Sequence, residues 1–429
     1  MIAAIAPLAI ALASFLLRIT NLGSIKTFIF DEVYYVDNAR DYLKYGVEVT
    51  GSKPEFIVHP PVGKWMIASG IKIFGDSPFG WRIATAFIGS LAILVVALIA
   101  HRLFRSSMLT ALASALMALD GLALVHSRTA LLDNFLAFFV LVASYFFIVK
   151  KYMWSGFFLG LALATKWSAL YFVALFALIA FYRAFTHHTG RDIIAPTLQR
   201  ITAFAVIPFG VYVTSWSGWF LSHRGWDRDH SNNVISSFIY YHQQMLNFHT
   251  TLTEKHNYQA NPWVWMIQGR PTSFFYDTPK NCGATSCSRE VLALGTPMLW
   301  WLGTIAVAIV LGLWIKSVIT RRFEPALNVI TAGMVAGFLP WFAFQKRTVF
   351  SFYAIIFEPF VILALVYCAK YFIDVARVKS EDRYRFSLIV VWGVTALIAL
   401  NFIKFLPLFM GRTITYDHWY SLMWLESWI

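Results

Sequence analysis

Two adjacent carboxylates, Asp31 and Glu32, begin the run DEVYYV near the start of the chain. An ionised carboxylate held at a bilayer surface can accept a proton from a hydroxyl group, and so act as a general base on a lipid-linked substrate. Neighbouring carboxylates also raise one another's pKa, which suits a base that works near neutral pH. The alternative interpretation is an ordinary solvated loop that follows an apolar stretch.

Further ionisable side chains lie near the ends of other apolar stretches. Lys and Arg at such positions suit a phosphate group, and charged residues near membrane depth are functional by default. Structural pairing, for example of Arg128 with Asp133, is the competing interpretation. The sequence has no Walker loop, GxGxxG fingerprint or HExxH motif, so nucleotide-dependent and zinc-protease functions have no support. The ionisable side chains near the ends of apolar stretches are His59 and Lys64 in HPPVGK, Arg82 in GWR, His126, Arg128 and Asp133 in HSRTALLDN, Lys166 in ATKWS, and Lys346 and Arg347 in FQKRT.

The composition indicates which class of protein must position these residues. Of the 429 residues, 59% are hydrophobic and 13% are charged, against about 25% charged in an ordinary soluble domain. This excludes a soluble globular protein, a disordered chain and a disulfide scaffold, and it predicts an all-α polytopic membrane protein. The net charge of +13 comes from cations scattered singly or in pairs. That pattern is typical of membrane loops beside anionic headgroups and not of a nucleic-acid-binding surface.

About eleven stretches are apolar enough to form membrane helices. The loops after even-numbered stretches each carry at least two Lys or Arg, which predicts an inside N-terminus and an outside C-terminus. The first stretch is expected to be a retained helix, with a signal-peptide core as the alternative. Two long segments, 19–82 and 218–296, then lie outside within a single domain, 1–429. The stretches run near residues 2–18, 83–100, 108–125, 130–149, 154–165, 168–182, 201–217, 297–315, 326–344, 351–369 and 386–405.

Cys282 and Cys287 lie five residues apart in the second outer segment. An oxidising setting outside the membrane permits a local disulfide, and at this point a disulfide and two free thiols are both open. A CxxxxC pair without matching His or Cys ligands is weak evidence for a metal site. Cys368 lies in an apolar stretch and is expected to be inert packing.

Motifs spread over nearly the whole chain resemble the protein O-mannosyltransferases of the GT-C superfamily, in their compact bacterial, actinobacterial-type form. The motifs keep the family's order along the chain. Eukaryotic members carry a large repeated luminal domain between helices seven and eight, and the segment 218–296 has no room for it. The matching segments are FDEVYYVDNARDY, FIVHPPVGKWMI, FGWRIATAFIGS, LDGLALVHSRTALLDNFLAFF, GLALATKWSALYF, NPWVWMIQGRP, FQKRTVFSFYAIIFEPF and TYDHWYSLMWLESWI.

The resemblance implies a GT-C fold in the plasma membrane with an active site on the outer face. It implies inverting transfer of mannose from polyprenyl-phosphate mannose to Ser or Thr hydroxyls of exported proteins. Asp31 is then the expected general base, and Glu32 would orient the acceptor or share that role. Arg82 is the first candidate for binding the lipid phosphate. Secondary candidates for phosphate or sugar contacts are Tyr35, His59, Lys64, Arg128, Lys166 and Arg347.

No metal ion or other cofactor is expected. A polyprenyl phosphate is a reasonable leaving group when fixed cations stabilise its growing negative charge. Two other functions remain open at this point. One is a GT-C transferase that moves a sugar to a lipid or a cell-wall glycan. The other is a transporter, although no pair of repeated halves with broken helices is recognisable.

Overall fold

The computed structural model describes residues 2–280 and 282–429, and most of them are helical. The α-helices are α1 (Ile2–Ile19), α2 (Glu32–Tyr45), α3 (Val62–Phe74), α4 (Pro78–Phe104), α5 (Ser107–Ala118), α6 (Gly121–His126), α7 (Leu132–Ile148), α8 (Tyr152–Leu163), α9 (Leu170–His187), α10 (Ile194–Ile201), α11 (Ile207–Ser215), α12 (Ser217–Leu221), α13 (Val234–Thr251), α14 (Pro297–Ile319), α15 (Pro325–Gly337), α16 (Glu358–Lys379), α17 (Glu381–Met410) and α18 (Tyr416–Ser421).

Five short strands accompany the helices. Strands β1 (Val49–Thr50) and β2 (Lys53–Pro54) form a small antiparallel hairpin. Strands β3 (Thr272–Asp277), β4 (Cys287–Ala293) and β5 (Thr413–Thr415) form an antiparallel sheet in the order β3-β4-β5. The composition did not predict these strands, but they are minor, and the predicted helical fold class is confirmed.

Seven helical segments are long and apolar enough to cross a membrane, and four shorter apolar helices accompany them in the described part of the chain. The presence of about eleven membrane spans therefore stays a prediction. Helix α4 lies centrally, because it packs against α1, α3, α5 and α7. One large apolar core links these helices, and the outer segments fold against it.

Asp120 divides the stretch predicted at 108–125 into α5 and α6. Its carboxylate accepts hydrogen bonds from the backbone N–H groups of Leu122 and Ala123, at 3.0 and 3.3 Å, and so caps α6. The helix predicted over 351–369 is also displaced along the chain. Residues Ser351–Ile356 form a 3-10 helix, and α16 starts at Glu358 because Pro359 favours the first turn of a helix.

The segment 218–296 contains a disulfide, which settles the question that the sequence could not decide. Cys282 and Cys287 are bonded, with their Cα atoms 5.9 Å apart, and they close the loop that joins β3 to β4. The C-terminal tail returns to this region, since β5 pairs with β4 and the indole Nε1 of Trp428 donates to the backbone oxygen of Gln268 at 2.7 Å. The tail therefore completes the β3-β4-β5 sheet, called the outer sheet below because its segment is predicted to lie outside the membrane.

Candidate active site

A cavity of about 220 Å³ lies where the turn between α8 and α9 meets α13 and the segment around Arg347. Its wall combines cations, one carboxylate and neutral rings with apolar side chains, a mixture typical of ligand sites. The polar and aromatic lining residues are His59, Asp133, Lys166, Trp167, Ser168, Tyr171, His249, Thr250, Trp341, Phe344, Arg347 and Tyr353.

A buried ion pair forms one side of this cavity. Lys166 Nζ lies 3.0 and 2.9 Å from the two carboxylate oxygens of Asp133. Asp133 stands in the first turn of α7, and Lys166 follows the end of α8. Lys166 Nζ also lies 5.1 Å from the ring centroid of Tyr353. The expected pairing of Arg128 with Asp133 is wrong, because Lys166 takes that place.

The HPPVGK motif docks α3 against this ion pair. The backbone N–H of Val62 donates to the carbonyl oxygen of Ala164 at 3.0 Å. A Cβ atom on Gly63 would lie 2.7 Å from the Leu132 side chain and 3.0 Å from that of Thr165. Leu132 and Thr165 directly precede Asp133 and Lys166 in sequence. Glycine at position 63 therefore permits the close approach that brings α3 to the site.

Asp31 neighbours the cavity without lining it. It occupies the N-cap position of α2, but its side chain does not cap the helix. The phenolic O–H of Tyr35, one helical turn on, donates to Asp31 Oδ2 at 3.5 Å. Burial raises the pKa of Asp31 to about 6, the charge of Lys166 opposes that shift, and the charge of Asp133 adds to it. The acidic neighbour that raises this pKa is Asp133, where the sequence had suggested Glu32.

Phe30 fixes the backbone immediately before Asp31. Its φ of +50° is unusual for a bulky residue, so the surrounding contacts must hold it. The Phe30 ring stacks on Phe274 of β3, with centroids 4.8 Å apart. Phe352 and Phe350 contact the same ring edge-on, at 5.5 and 5.9 Å. The aromatic cluster therefore ties Asp31 to the outer sheet and to the segment that follows Arg347.

Two neutral imidazoles and a cation form the opposite part of the site. Arg347 Nη2 lies 3.3 Å from Nδ1 of His249, and His249 Nε2 lies 2.8 Å from the backbone oxygen of Val58. Burial lowers the pKa of His249 to about 4 and that of His59 well below its ordinary value. Within the described residues, His59 Nδ1 and Arg347 Nε are buried without a hydrogen-bond partner, and Arg347 forms no ion pair. These two nitrogen atoms therefore have unused hydrogen-bonding capacity.

Arg82 and Glu32 form a closed structural pair away from the cavity. Arg82 Nε and Nη2 each lie 2.7 Å from one oxygen of Glu32, in the two-pronged geometry typical of strong Arg–carboxylate pairs. The remaining Arg82 donors bind backbone oxygens of Leu22, Ile25 and Thr27. Every N–H of Arg82 thus has an acceptor within the protein, and its binding of the lipid phosphate stays a prediction.

Glu32 is equally committed. Its oxygens also accept hydrogen bonds from the backbone N–H groups of Ile29 and Ala130, at 2.9 and 2.8 Å, and its side chain is fully buried. These contacts hold the loop that carries Asp31. The expectation that Glu32 orients the acceptor or shares the role of base stays a prediction.

Lys64 and Arg128 also make structural contacts. Lys64 Nζ lies 2.5 Å from Glu48 and donates to the carbonyl oxygen of His59 at 2.8 Å. Arg128 Nη1 donates to backbone oxygens at the end of α1, including those of Arg18 and Thr20 at 2.6 and 2.9 Å. Neither residue lines the cavity, and their contact with phosphate or sugar stays a prediction.

Of the predicted site residues, the structure brings together Asp31, Tyr35, His59, Lys166 and Arg347. The sequence did not assign site roles to Asp133, His249 or Tyr353. Asp133 was visible as an acid near membrane depth, and only its partner was misjudged. His249 lies on α13, about 100 residues from Arg347 in sequence, and no local motif marks it.

Family models match both halves of the chain. Residues 8–224 match the dolichyl-phosphate-mannose-protein mannosyltransferase family, and residues 234–428 match the C-terminal four TMM region of protein-O-mannosyltransferase. The chain is 33% identical to the "Polyprenol-phosphate-mannose--protein mannosyltransferase" of Corynebacterium glutamicum, over 98% of this chain and 92% of that protein. The protein of the same name from Mycobacterium tuberculosis is also 33% identical, over 98% of this chain and 90% of its own length.

Solved structures share the fold. The S. cerevisiae protein O-mannosyltransferase Pmt1-Pmt2 complex bound to the sugar donor matches with a TM-score of 0.84 at 14% identity, over 100% of this chain and 93% of that chain. ArnT from Cupriavidus metallidurans bound to undecaprenyl phosphate matches with a TM-score of 0.56 at 15% identity, over 95% and 76%. The predicted GT-C fold is confirmed, and the chain belongs to the protein O-mannosyltransferase family.

Proposed function

We propose that this protein transfers mannose from polyprenyl-phosphate mannose to Ser or Thr hydroxyls of exported proteins. The observation that carries this proposal is one cavity, lined by Arg347 and by Asp133 of the carboxylate cluster Asp31, Glu32 and Asp133, with Asp31 itself beside the cavity. Within the described residues, Arg347 forms no ion pair. The names of the relatives support the donor and the protein acceptor. The apolar helices support a multi-pass membrane protein, and we place its active site on the outer face of the plasma membrane.

Asp31 is the proposed general base. It is the carboxylate of the cluster that neither caps a helix nor pairs closely with a cation, whereas Glu32 and Asp133 are both paired. A pKa of about 6 leaves it ionised at neutral pH yet basic enough to accept a hydroxyl proton. The acceptor oxygen attacks the anomeric carbon of mannose as its proton passes to Asp31. One such displacement inverts the configuration at that carbon.

The leaving polyprenyl phosphate is proposed to bind on the Arg347 side of the cavity. Arg347 supplies a full positive charge, and His59 and His249, being neutral at pH 7, supply polar contacts without competing charge. As the glycosidic bond breaks, negative charge grows on the phosphate oxygen, and a preorganised cation stabilises that change. The apolar lining residues Leu136, Leu170, Phe344 and Ile356 would accommodate the first isoprene units.

Lys166 is proposed to serve both halves of the site. Its pairing with Asp133 holds it beside Asp31, where its charge favours the ionised base. Trp167, Trp341 and Tyr353 offer rings on which the sugar can stack. We propose turnover without a metal ion, because Arg347 already supplies a fixed positive charge for the phosphate. Loss of activity with a chelator, restored by Mn²⁺ or Mg²⁺, would contradict that.

A reconstituted assay tests the proposal. The protein, in liposomes with labelled polyprenyl-phosphate mannose, is given a Thr-containing peptide, the same peptide with Val in place of Thr, or a lipid acceptor. We expect mannose on the Thr peptide alone, detected by mass spectrometry. Asp31→Asn should abolish transfer, whereas Asp37→Asn, an exposed acid two turns along α2, should not. Transfer to the lipid acceptor instead would favour the alternative class of GT-C transferase.

A further inference from the structure

A second, larger hollow lies between α2, α3 and α12. This groove has a volume of about 650 Å³ and shares no lining residue with the cavity near Arg347. Tyr42, Tyr45, Trp65 and Leu221 form its walls. Its floor is the point where α12 touches the end of α2, since a Cβ atom on Gly218 would overlap the backbone oxygen of the residue that follows Tyr45.

Apolar side chains at the groove and next to its lining residues in sequence are exposed. Leu221, which lines the groove, is 82% exposed, and Ile73 and Phe74, which follow the lining residue Lys72, are 71% and 53% exposed. Exposed apolar surface marks an interaction site or a membrane contact. In a membrane protein such a surface suits contact with lipid. Trp65 and Tyr45 have the apolar body and polar tip that are favoured at the membrane interface.

Three cations stand at the groove: Lys44, Lys72 and Arg224. Lys44 Nζ lies 4.8 Å and Arg224 Cζ lies 4.9 Å from the centroid of the same Tyr45 ring, so the two charges are at most about 10 Å apart. Lys72 lines the groove itself. In the part of the chain that the structure describes, none of the three forms an ion pair with an acid. An anion at this position would relieve their mutual repulsion.

The predicted topology makes these cations informative. They lie in the two segments, 19–82 and 218–296, that are predicted to be outside, where the positive-inside rule does not account for Lys and Arg. Anionic lipid headgroups attract such cations at the bilayer surface. The groove thus joins an apolar slot that opens to lipid with a cluster of positive charge at its rim.

We propose that the groove binds an anionic glycerophospholipid. An acyl chain lies against Tyr42, Trp65 and Leu221, and the phosphate contacts Lys44 and Arg224. The donor lipid fits this groove less well, because no carboxylate lines it and the proposed reacting groups lie in the separate cavity. The site is independent of the reaction proposed above.

The test compares lipid retention by two matched variants of the full chain. Delipidated protein is incubated in micelles with equal amounts of phosphatidylglycerol and phosphatidylcholine, and bound lipid is counted by native mass spectrometry. The first variant combines Lys44→Gln, Lys72→Gln and Arg224→Gln. The control combines Lys53→Gln, Lys255→Gln and Lys280→Gln, which remove equal charge from exposed residues of the same outer segments that do not line the groove.

We expect the wild type and the control to retain phosphatidylglycerol over phosphatidylcholine. The groove variant should lose that preference, by about fivefold for each cation removed. Arg224→Gln alone should give a partial loss, which keeps the test usable if the triple variant is unstable. Equal retention of both lipids by the wild type, or unchanged selectivity in the groove variant, would overturn the proposal.

Discussion

Replacing Asp31 with Asn should inactivate the protein and stabilise it at the same time. The folded state raises the pKa of Asp31 from 3.8 to about 6, so it holds an ionised carboxylate at pH 7 less favourably than the unfolded chain does. A shift of about two pKa units corresponds to at most about 3 kcal/mol of folding free energy. Asn occupies nearly the same volume without the charge, and it removes that cost.

The sign of the pH dependence follows from the same shift. Above about pH 6 the carboxylate is ionised in both states, and the folded state bears the full cost. As the pH falls from 6 towards 3.8, the folded protein takes up a proton before the unfolded chain does, and the cost disappears. The thermal midpoint of Asp31→Asn should therefore exceed that of the wild type at pH 7.5, and the two should converge near pH 4.

Activity should follow the ionised fraction of the same group. With a pKa of about 6, about nine tenths of Asp31 is ionised at pH 7 and about one tenth at pH 5. The value of kcat/KM, which reports the pKa of the free protein, should then fall about tenfold for each pH unit below 6. Thermal unfolding and radiolabel transfer, run from pH 4 to 8, measure both effects, with Asp37→Asn as the control. An Asp31→Asn protein that keeps its activity, or is never more stable than the wild type, refutes this reasoning.

Three further substitutions separate binding from structure. Arg347→Gln should raise the KM for the donor more than that for the peptide, because Arg347 is the cavity cation without an acidic partner; equal changes in both would remove it from the phosphate site. Lys166→Met should destabilise the protein by about 3–5 kcal/mol, because it leaves Asp133 buried and unpaired. The double variant Lys166→Met/Asp133→Leu should recover part of that loss in thermal unfolding, and strict additivity would contradict the pairing. Arg82→Lys should lower the thermal midpoint by breaking the two-pronged contact with Glu32 while leaving the donor KM of the folded protein unchanged; a raised KM would return Arg82 to the phosphate site.

The fold was predictable because its main signal is local. Each apolar stretch of about 20 residues predicts a membrane helix from its own composition. Helix ends were less predictable, because a single capping residue such as Asp120, or a proline such as Pro359, moves a boundary by several positions. The outer sheet was not predicted, since β5 joins β4 from more than 100 residues away in sequence.

The site was only partly predictable, because a cation's type and place in a loop do not reveal its partner. Lys64, Arg82 and Lys166 all lie near ends of apolar stretches, and each pairs with an acid remote in sequence. Of the Lys and Arg candidates, Arg128 and Arg347 form no ion pair in the described residues, and of these two only Arg347 lines the cavity. Only the three-dimensional arrangement distinguishes a cation committed to an acid from one left for a ligand.

The run Phe30-Asp31-Glu32 shows how two adjacent carboxylates come to lie in different surroundings. Successive residues at the start of a helix point about 100° apart, so neighbours in sequence face different parts of the protein. Phe30 enters the aromatic cluster and Glu32 enters the pair with Arg82, which fixes the backbone on both sides of Asp31. Asp31 is thereby held in a setting that disfavours its charge, and the buried contacts of its two neighbours offset that cost. The raised pKa of Asp31 thus depends on the contacts that its neighbours make.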